Sequence, residues 1–244
     1  MIAINNQKKG IVVLEINNPP VNALSLSLVK ELNQILGLRV IEDAKLVVFK
    51  GIGKGFCAGA DLKERSRMTD NETIKTINRY RDLFKKIENL TCITIARIHG
   101  FALGGGLEFS LSCDFRFSTK ESTIGLPETS IGIIPGAGGT QRLTRLIGFS
   151  KSKKWIFTAQ TVKAEKAFED SIIDRVFDNA TDMDNYISEF AMTISENCKI
   201  AISSAKRAID AFDGSDLGYD IERKEYLKTL DSDLRKESLK KYKK

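Results

Sequence analysis

A glycine triplet followed by a carboxylate is the part of this 244-residue sequence best suited to chemistry. Gly104, Gly105 and Gly106 follow an apolar, β-branched segment that predicts a buried strand, and Glu108 comes soon after them. Glycines at a helix start let a ligand approach the backbone, and the free N–H groups there favour negative charge. The stretch therefore offers oxyanion-stabilising amides beside a candidate acid or base. Each part alone is also typical of a turn, or of a carboxylate interacting with a helix dipole.

A second carboxylate, Glu128, shares with Glu108 a setting of apolar and glycine residues. Two carboxylates that flank one pocket can divide general acid and general base work if their environments separate their pKa values. Their spacing along the chain does not establish their distance in space. Either one could instead be a surface carboxylate or a helix cap.

A second turn of small residues, 56–61, ends at Asp61, a candidate helix N-cap. We expect the N–H groups of Ala58 and Gly105 to be preformed donors for a carbonyl oxygen that becomes negatively charged during a reaction. A third glycine-rich stretch, 134–140, lacks the lysine of a phosphate-binding loop and does not fit a dinucleotide-binding motif. We interpret it as a wall of the pocket.

Strands that alternate with helices predict an α/β fold. We expect strands at 11–16, 45–50, 91–98 and 115–119, and helices at 26–36, 71–88, 107–113 and 140–147. Beyond residue 151 glycine and proline become scarce and helices predominate, ending in one helix over 220–244 that carries nine Lys or Arg residues. We therefore place a boundary near residue 180, with a core at 1–180 and a helical region at 181–244.

Composition and charge argue against several classes of protein. With 42% apolar and 29% charged residues, and with no long apolar segment, the chain reads as a globular cytoplasmic protein that does not enter a membrane. His99, the single histidine, cannot complete a Cys/His zinc site, and the four cysteines show no C-x-x-C spacing, so we expect free thiols and no metal. The net charge of +6 leaves a polyanion- or RNA-binding protein as an alternative of a different class, although no RNA-recognition motif is present.

Four segments, taken together and in order, resemble the enoyl-CoA hydratase/isomerase (crotonase) family over nearly the whole chain. They are 17–24 (NNPPVNAL), 55–64 (GFCAGADLKE), 100–108 (GFALGGGLE) and 126–143 (LPETSIGIIPGAGGTQRL). The second and the last are closest in wording to the methylglutaconyl-CoA hydratase-like branch. Two glycines usual in the family are missing, one after Thr158 and one within 166–174.

The resemblance implies a crotonase-type spiral of ββα units with a C-terminal helical trimerisation region, assembled as a homotrimer or homohexamer. It implies an acyl-CoA substrate and the addition of water across the C2=C3 double bond of a 2-enoyl-CoA. Enoyl-CoA isomerisation and methylglutaconyl-CoA hydration are the alternatives within the family. Glu108 would assist attack of water on C3, Glu128 would supply the proton to C2, and no metal or redox cofactor is needed. The substrate-binding residues carried over are Ala23, Leu24, Ala58, Gly59, Ala60, Asp61, Leu62, Gly105 and Pro127, with Ala58 and Gly105 as the oxyanion hole.

Overall fold

The strands of the chain divide between two sheets. The computed structural model describes residues 1–6, 8–212, 215, 217–240 and 242, with only the backbone of residue 8. Its strands are β1 (Ile2–Asn6), β2 (Ile11–Ile16), β3 (Leu46–Gly51), β4 (Ile93–Ile98), β5 (Phe101–Leu103), β6 (Phe115–Thr119), β7 (Thr123–Gly125), β8 (Thr161–Lys163) and β9 (Arg175–Phe177). Its helices are α1 (Leu26–Ile35), α2 (Arg39–Glu42), α3 (Leu62–Arg65), α4 (Asp70–Glu88), α5 (Gly105–Leu111), α6 (Gly139–Phe157), α7 (Ala164–Glu169), α8 (Ala180–Glu196), α9 (Lys199–Asp210), α10 (Leu217–Thr229) and α11 (Asp233–Lys240).

The larger sheet has the strand order β1-β2-β3-β4-β6-β9 and is parallel except for β1. Its central strands are apolar on both faces because both faces are covered. Alternate residues such as Leu14 and Phe49 pack in one cluster with α1, α4 and α5. Their neighbours, such as Val48 and Ile95, pack in a second cluster with α8. This two-sided burial explains why β2 and β3 read as continuous apolar runs in the sequence.

The smaller sheet, β5-β7-β8, gives the chain its repeating path. After β4 in the large sheet the chain adds β5 to the small sheet and enters α5. After β6 it adds β7, makes a short 3₁₀ helix (Glu128–Ile131) and enters α6. An isolated parallel bridge between Cys57 and Ala102 places the turn after β3 beside β5 in the same way. The predicted α/β class is confirmed, and this strand–strand–helix order is the ββα repeat that the resemblance implies.

Most of the long elements lie where the sequence predicts them. The sequence analysis did not predict the short elements β1, β5, β7, β8, β9 and α2, and the helix expected over 220–244 is divided into α10 and α11. Residues 241, 243 and 244 of that prediction lie outside the described residues. From Ala180 onward every described element is a helix. None of the helices in the described part of the chain is long and apolar enough to span a bilayer.

Candidate active site

The glycine triplet is required by the way α5 begins. Gly104 has φ +51°, a conformation that favours glycine, and it precedes the first residue of the helix. A methyl group at Gly106 would lie only 2.1 Å from the carbonyl oxygen of Cys57, so a side chain there would push the two segments apart. The triplet therefore serves both the turn and the close packing of the helix start against the loop after β3.

Glu108 lies in the first turn of α5, with only 3% of its surface exposed. Its Oε1 accepts hydrogen bonds from the backbone N–H groups of Ala137 and Gly139, both at 2.8 Å. Burial raises the pKa of Glu108, while these two hydrogen bonds and the charge of Arg142 act in the opposite direction. No donor among the described residues is bonded to Oε2, which leaves that oxygen available to another molecule.

The loop that donates to Glu108 is the glycine-rich stretch that we interpreted from the sequence as a wall. That interpretation is incomplete, because residues 137–139 form an anion-binding cradle for a carboxylate of the protein itself. A methyl group at Gly139 would lie 2.9 Å from both Cγ and Oε1 of Glu108, so the glycine makes room for the side chain. The spacing of glycines contained no information about which distant group the loop contacts.

Glu128 begins the short 3₁₀ helix after β7 and is 9% exposed. Its Oε2 is buried and has no hydrogen-bond partner among the described residues. Burial, reinforced by the negative charge of Glu108, raises the pKa of Glu128 to about 7. A methyl group at Gly104 would lie 3.0 Å from Oε1 of Glu128, which places this carboxylate against the start of α5. The structure thus brings the two sequence-predicted glutamates into one site.

Two amides near these carboxylates lack acceptors, but only one of them is an amide predicted for the oxyanion hole. The N–H of Ala58 donates to the carbonyl of Val21 at 3.1 Å and is therefore not free to bind a ligand. A methyl group at Gly105 would lie 3.5 Å from the nitrogen of Ala60, and one at Gly59 would lie 3.0 Å from the nitrogen of Gly105. Within the described residues, neither Gly105 nor Ala60 has a partner for its N–H. The structure thus contradicts Ala58 as a free donor and leaves Ala60, which the sequence analysis placed only among the binding residues, as the candidate donor beside Gly105.

The remaining predicted binding residues lie around the same turn. The N–H of Leu24 donates to the carbonyl of Gly59 at 2.8 Å, so the segment 23–24 lies beside the segment 59–61. Asp61 caps α3 by accepting from the N–H groups of Lys63 and Glu64, and Leu62 is exposed at the start of that helix. Pro127 directly precedes the short helix of Glu128.

Side chains outside the predicted set stabilise this part of the site through hydrogen bonds to the backbone. The hydroxyl of Tyr80 on α4 donates to the carbonyl of Leu24, and Oε2 of Glu64 accepts from the N–H of Leu26 at 3.0 Å. The amide of Asn22 donates to the carbonyls of Ile52 and Gly55 at 2.9 and 2.8 Å. Asn22 and Glu64 lie in the segments 17–24 and 55–64 that carry the family resemblance, whereas nothing in the sequence marked Tyr80.

Other candidate groups do not serve as nucleophiles or bases here. Cys57 is buried, and burial raises the pKa of its thiol to about 12. His99 lies with Nε2 2.9 Å from the carbonyl of Gly53, and burial lowers its pKa. All four cysteines are free thiols. Among the residues described, no group of three His, Cys, Asp or Glu side chains could hold a metal ion.

The arrangement combines two buried carboxylates with two adjacent free N–H groups. Such amides stabilise a carbonyl oxygen that gains negative charge, since they are already oriented and need no reorganisation. A carboxyl group with a pKa near neutrality can give up or accept a proton at neutral pH, and the more strongly hydrogen-bonded Glu108 is better suited to remain ionised. The site therefore suits proton transfer next to a carbonyl group.

Comparison with known proteins is consistent with this chemistry. The chain matches the model of the enoyl-CoA hydratase/isomerase family over residues 6–244. It is 37% identical to the short-chain-enoyl-CoA hydratase of Clostridium acetobutylicum, over 84% of this chain and 79% of that protein. It is also 37% identical to the mitochondrial methylglutaconyl-CoA hydratase of Mus musculus, over 97% of this chain and 78% of that protein. The fold matches the crystal structure of an enoyl-CoA hydratase from Bacillus anthracis with a TM-score of 0.93 and 36% identity, covering 99% of this chain and 95% of that one.

Proposed function

The chain belongs to the enoyl-CoA hydratase/isomerase family, and from this premise we propose that it adds water across the C2=C3 double bond of a 2-enoyl-CoA thioester. The observation that carries the proposal is the pairing of two buried carboxylates, Glu108 and Glu128, with the free N–H groups of Ala60 and Gly105. Retention of both carboxylates supports hydration over family reactions that need only one of them.

In the proposed reaction the thioester carbonyl oxygen lies between the N–H groups of Ala60 and Gly105. A water held by the two carboxylates attacks C3, and Glu108 takes the proton that the water loses. The electron pair of the double bond moves toward the carbonyl oxygen, and the two amides stabilise the resulting enolate. Glu128 then gives its proton to C2, which restores the carbonyl. Transfer of one proton from Glu108 back to Glu128 completes the cycle, and because no electrons are lost or gained overall, no redox cofactor is required.

The burial of Glu128 supports its role as the proton donor. A glutamate in water is almost fully ionised at neutral pH, whereas a pKa raised to about 7 leaves roughly half of the molecules protonated. Among the described residues its buried Oε2 has no hydrogen-bond partner, which leaves this oxygen unpaired for the water that the proposed reaction needs. The segments 23–24 and 59–62 would hold the CoA portion, because they lie side by side next to the two amides.

Hydration of crotonyl-CoA, followed by loss of the conjugated enoyl absorbance, tests the proposal. We expect the wild type to be active, and expect Glu108→Gln and Glu128→Gln each to lower kcat by about 10²- to 10⁴-fold, the usual effect of removing a general acid or base. Glu121→Gln is the matched control, since Glu121 is an exposed glutamate whose one ion pair in the described part of the chain is with Lys163. Equal loss in all three variants, or no loss in any, would contradict the proposed roles.

Product analysis separates hydration from the alternative reactions. A hydrated product carries a hydroxyl group, whereas an isomerase moves the double bond of a 3-enoyl-CoA without adding mass. 3-Methylglutaconyl-CoA belongs in the same assay, because the chain is similar both in motif wording and in identity to a methylglutaconyl-CoA hydratase. A kcat/KM greater for that substrate than for crotonyl-CoA would assign the chain to the branched, carboxylated substrate.

A further inference from the structure

The cradle of Glu108 is itself held in place by a buried arginine. Arg142 lies on α6, one turn after Gly139, and its side chain is only 10% exposed. Its Nη1 donates to the carbonyl of Ala137 at 3.0 Å. Ala137 thus accepts from Arg142 through its carbonyl while it donates to Glu108 through its N–H. The guanidinium is therefore one residue removed from the carboxylate that the proposed reaction uses as a base.

The other end of the guanidinium is fixed by Glu88, the last residue of α4. Nη2 and Nε of Arg142 donate to Oε2 of Glu88 at 2.7 and 3.2 Å. Oε1 of Glu88 accepts separately from Arg145 at 2.6 Å. Although burial acts in the opposite direction, the hydrogen bonds from the two arginines hold the pKa of Glu88 below its ordinary value, so it is a permanent anion near neutral pH. Charge-assisted bonds of this kind are stronger and more directional than neutral ones.

The loop geometry is matched to the arginine. Gly138 has φ +107°, a left-handed conformation that favours glycine, and a methyl group there would lie 2.2 Å from Nη1 of Arg142. The glycine thus gives the loop its bend and leaves space for the guanidinium. Ala137, Gly138 and Arg142 also line a cavity of about 760 Å³, so truncation of Arg142 would leave the loop without support on that side.

We propose that Arg142, anchored by Glu88, is a positioning residue that holds the 137–139 loop so that two N–H groups point at Oε1 of Glu108. The inference rests on the proposed function, because the consequence of losing this support is a displaced or less ionised base. A displacement of about 1 Å at a reacting group can cost about 10²-fold in rate even when its cause lies outside the reacting centre. Arg142 itself touches neither carboxylate of the site.

The charges that face Glu108 determine the direction of a pH effect. They are Glu128, from the short helix after β7, and Arg142, from α6. The thiol of Cys57, which packs against Gly106, is neutral because burial raises its pKa to about 12. Removal of Arg142 would withdraw positive charge and loosen the two amide bonds, and both changes would raise the pKa of Glu108. The acid limb of the pH–rate profile should then move to higher pH.

The experiment compares Arg142→Met with Arg145→Met. Both variants remove an arginine bound to Glu88, but only Arg142 contacts the loop, and Arg145 is 61% exposed. We expect Arg142→Met to lower kcat for crotonyl-CoA by about 10- to 100-fold with KM changed less than about 3-fold, and Arg145→Met to stay within about 2-fold of wild type. Arg142→Lys should fall between them, because a single ammonium group cannot reproduce the guanidinium group, which binds Glu88 and Ala137 at the same time. Equal kcat values for Arg142→Met and Arg145→Met, or a rise in KM alone, would overturn the proposal.

A readout without catalysis keeps the positioning role separate from the proposed function. The carboxyl group of Glu108 can be titrated by difference infrared spectroscopy, with the band assigned by its loss in Glu108→Gln. We expect a higher pKa in Arg142→Met and an unchanged one in Arg145→Met, while equal titration in both variants would overturn the proposal. If the wild type hydrates no CoA thioester, the proposed function fails and this titration still decides the positioning role. If Arg142→Met does not fold, Glu88→Gln replaces it and should show the same change to a smaller degree; behaviour identical to Arg145→Met would overturn the proposal.

Discussion

Glu128 is the residue whose burial has the clearest consequence for pH. It is inserted against Gly104 and shares its surroundings with Glu108, so its ionised form is poorly solvated, and its Oε2 has no hydrogen-bonding partner among the described residues. Burial of an ionised group without a partner lowers the stability of the folded protein. Such a loss at a candidate active site is a common compromise between stability and activity in enzymes. Two measurements follow from this residue, one on rate and one on stability.

The pH dependence of kcat/KM should be bell-shaped. The proposed mechanism requires Glu108 ionised and Glu128 protonated, so the rate should rise with pH as Glu108 loses its proton and fall as Glu128 loses its own. Because the pKa of Glu128 is raised to about 7, the descending limb should have its midpoint near neutrality. The profile is measured with crotonyl-CoA well below KM. A rate that stays constant from pH 6 to pH 9, a range chosen to span about two units above that pKa, would contradict the assignment of Glu128 as the acid.

Glu128→Gln should stabilise the protein, and only at the higher pH values. The unfolded chain loses this proton near the ordinary value of 4.5, whereas the folded protein keeps it until about 7. Stability associated with the raised pKa is therefore fully present below about 4.5 and is lost as pH rises through about 7. At 1.36 kcal/mol per pKa unit, the glutamine variant should exceed the wild type in free energy of unfolding by up to about 3 kcal/mol at pH 8.

Urea denaturation at pH 5 and pH 8 provides the measurement. The gain of Glu128→Gln over wild type should be small at pH 5 and large at pH 8, and the exposed control Glu121→Gln should show no such dependence. A gain of the same size at both pH values would indicate a packing effect in place of an ionisation effect.

Two helix ends show where this chain carries backbone strain. Ala159 follows the C-cap of α6 with φ +48°, and Ser171 follows the C-cap of α7 with φ +64°. This left-handed position after a helix usually contains glycine, and both residues lie where the sequence lacks a glycine expected from the family resemblance, namely after Thr158 and within 166–174. Both helix ends therefore adopt the left-handed conformation with a residue other than glycine, and this conformation is strained for such a residue.

Ala159→Gly and Ser171→Gly should each stabilise the protein by about 0.5–1 kcal/mol. Relief of the left-handed conformation contributes about 1–2 kcal/mol, and the greater freedom of glycine in the unfolded chain removes part of that gain. Ala211→Gly is the matched control, because Ala211 ends α9 with an ordinary φ of −79° and glycine there can only lose stability. Chemical denaturation of the three variants tests this, and equal destabilisation by all of them would show that positions 159 and 171 carry no strain.

At the scale of the whole molecule, the C-terminal helices leave apolar side chains without cover. Three of them, Ile209 at the end of α9, Phe212 just after it and Tyr219 on α10, are exposed and line one cavity of about 550 Å³. A cluster of exposed aromatic side chains is more often part of an interaction surface than of the ordinary surface of a monomer. We propose that this surface contacts a second copy of the chain in a homotrimer or a dimer of trimers, which would give the region 181–244 its oligomerisation role.

Light scattering coupled to size-exclusion chromatography measures the assembly directly. We expect the wild type at three or six chain masses, and Phe212→Asp at a lower mass, because a charge buried in an apolar contact is costly. Lys224→Asp, an exposed charge change on α10, should retain the wild-type mass. A monomeric wild type would rule out the assembly, and an unchanged Phe212→Asp would place the interface on another surface.

The sequence by itself determined most of the long elements of this protein and its two candidate carboxylates. Runs of mostly β-branched apolar residues such as Ile11–Ile16 predict strands, and Asp61 caps a helix through contacts with residues only a few positions away. Glu108 and Glu128 were candidates from the sequence because each is a carboxylate in a setting of apolar and glycine residues, although that setting alone also fits a helix cap or a surface carboxylate. These signals are local, and local geometry follows from residue type.

The tertiary structure decided which groups are free and which are held. Whether the N–H of Ala58 or that of Ala60 can bind a ligand depends on Val21, a partner from another part of the chain. The role of the 137–139 loop depends on Glu108, and the role of Arg142 depends on Glu88 at the end of a distant helix. Hydrogen-bond partners of this kind leave no trace in spacing or periodicity, because only folding brings segments far apart in the chain within about 3 Å of each other.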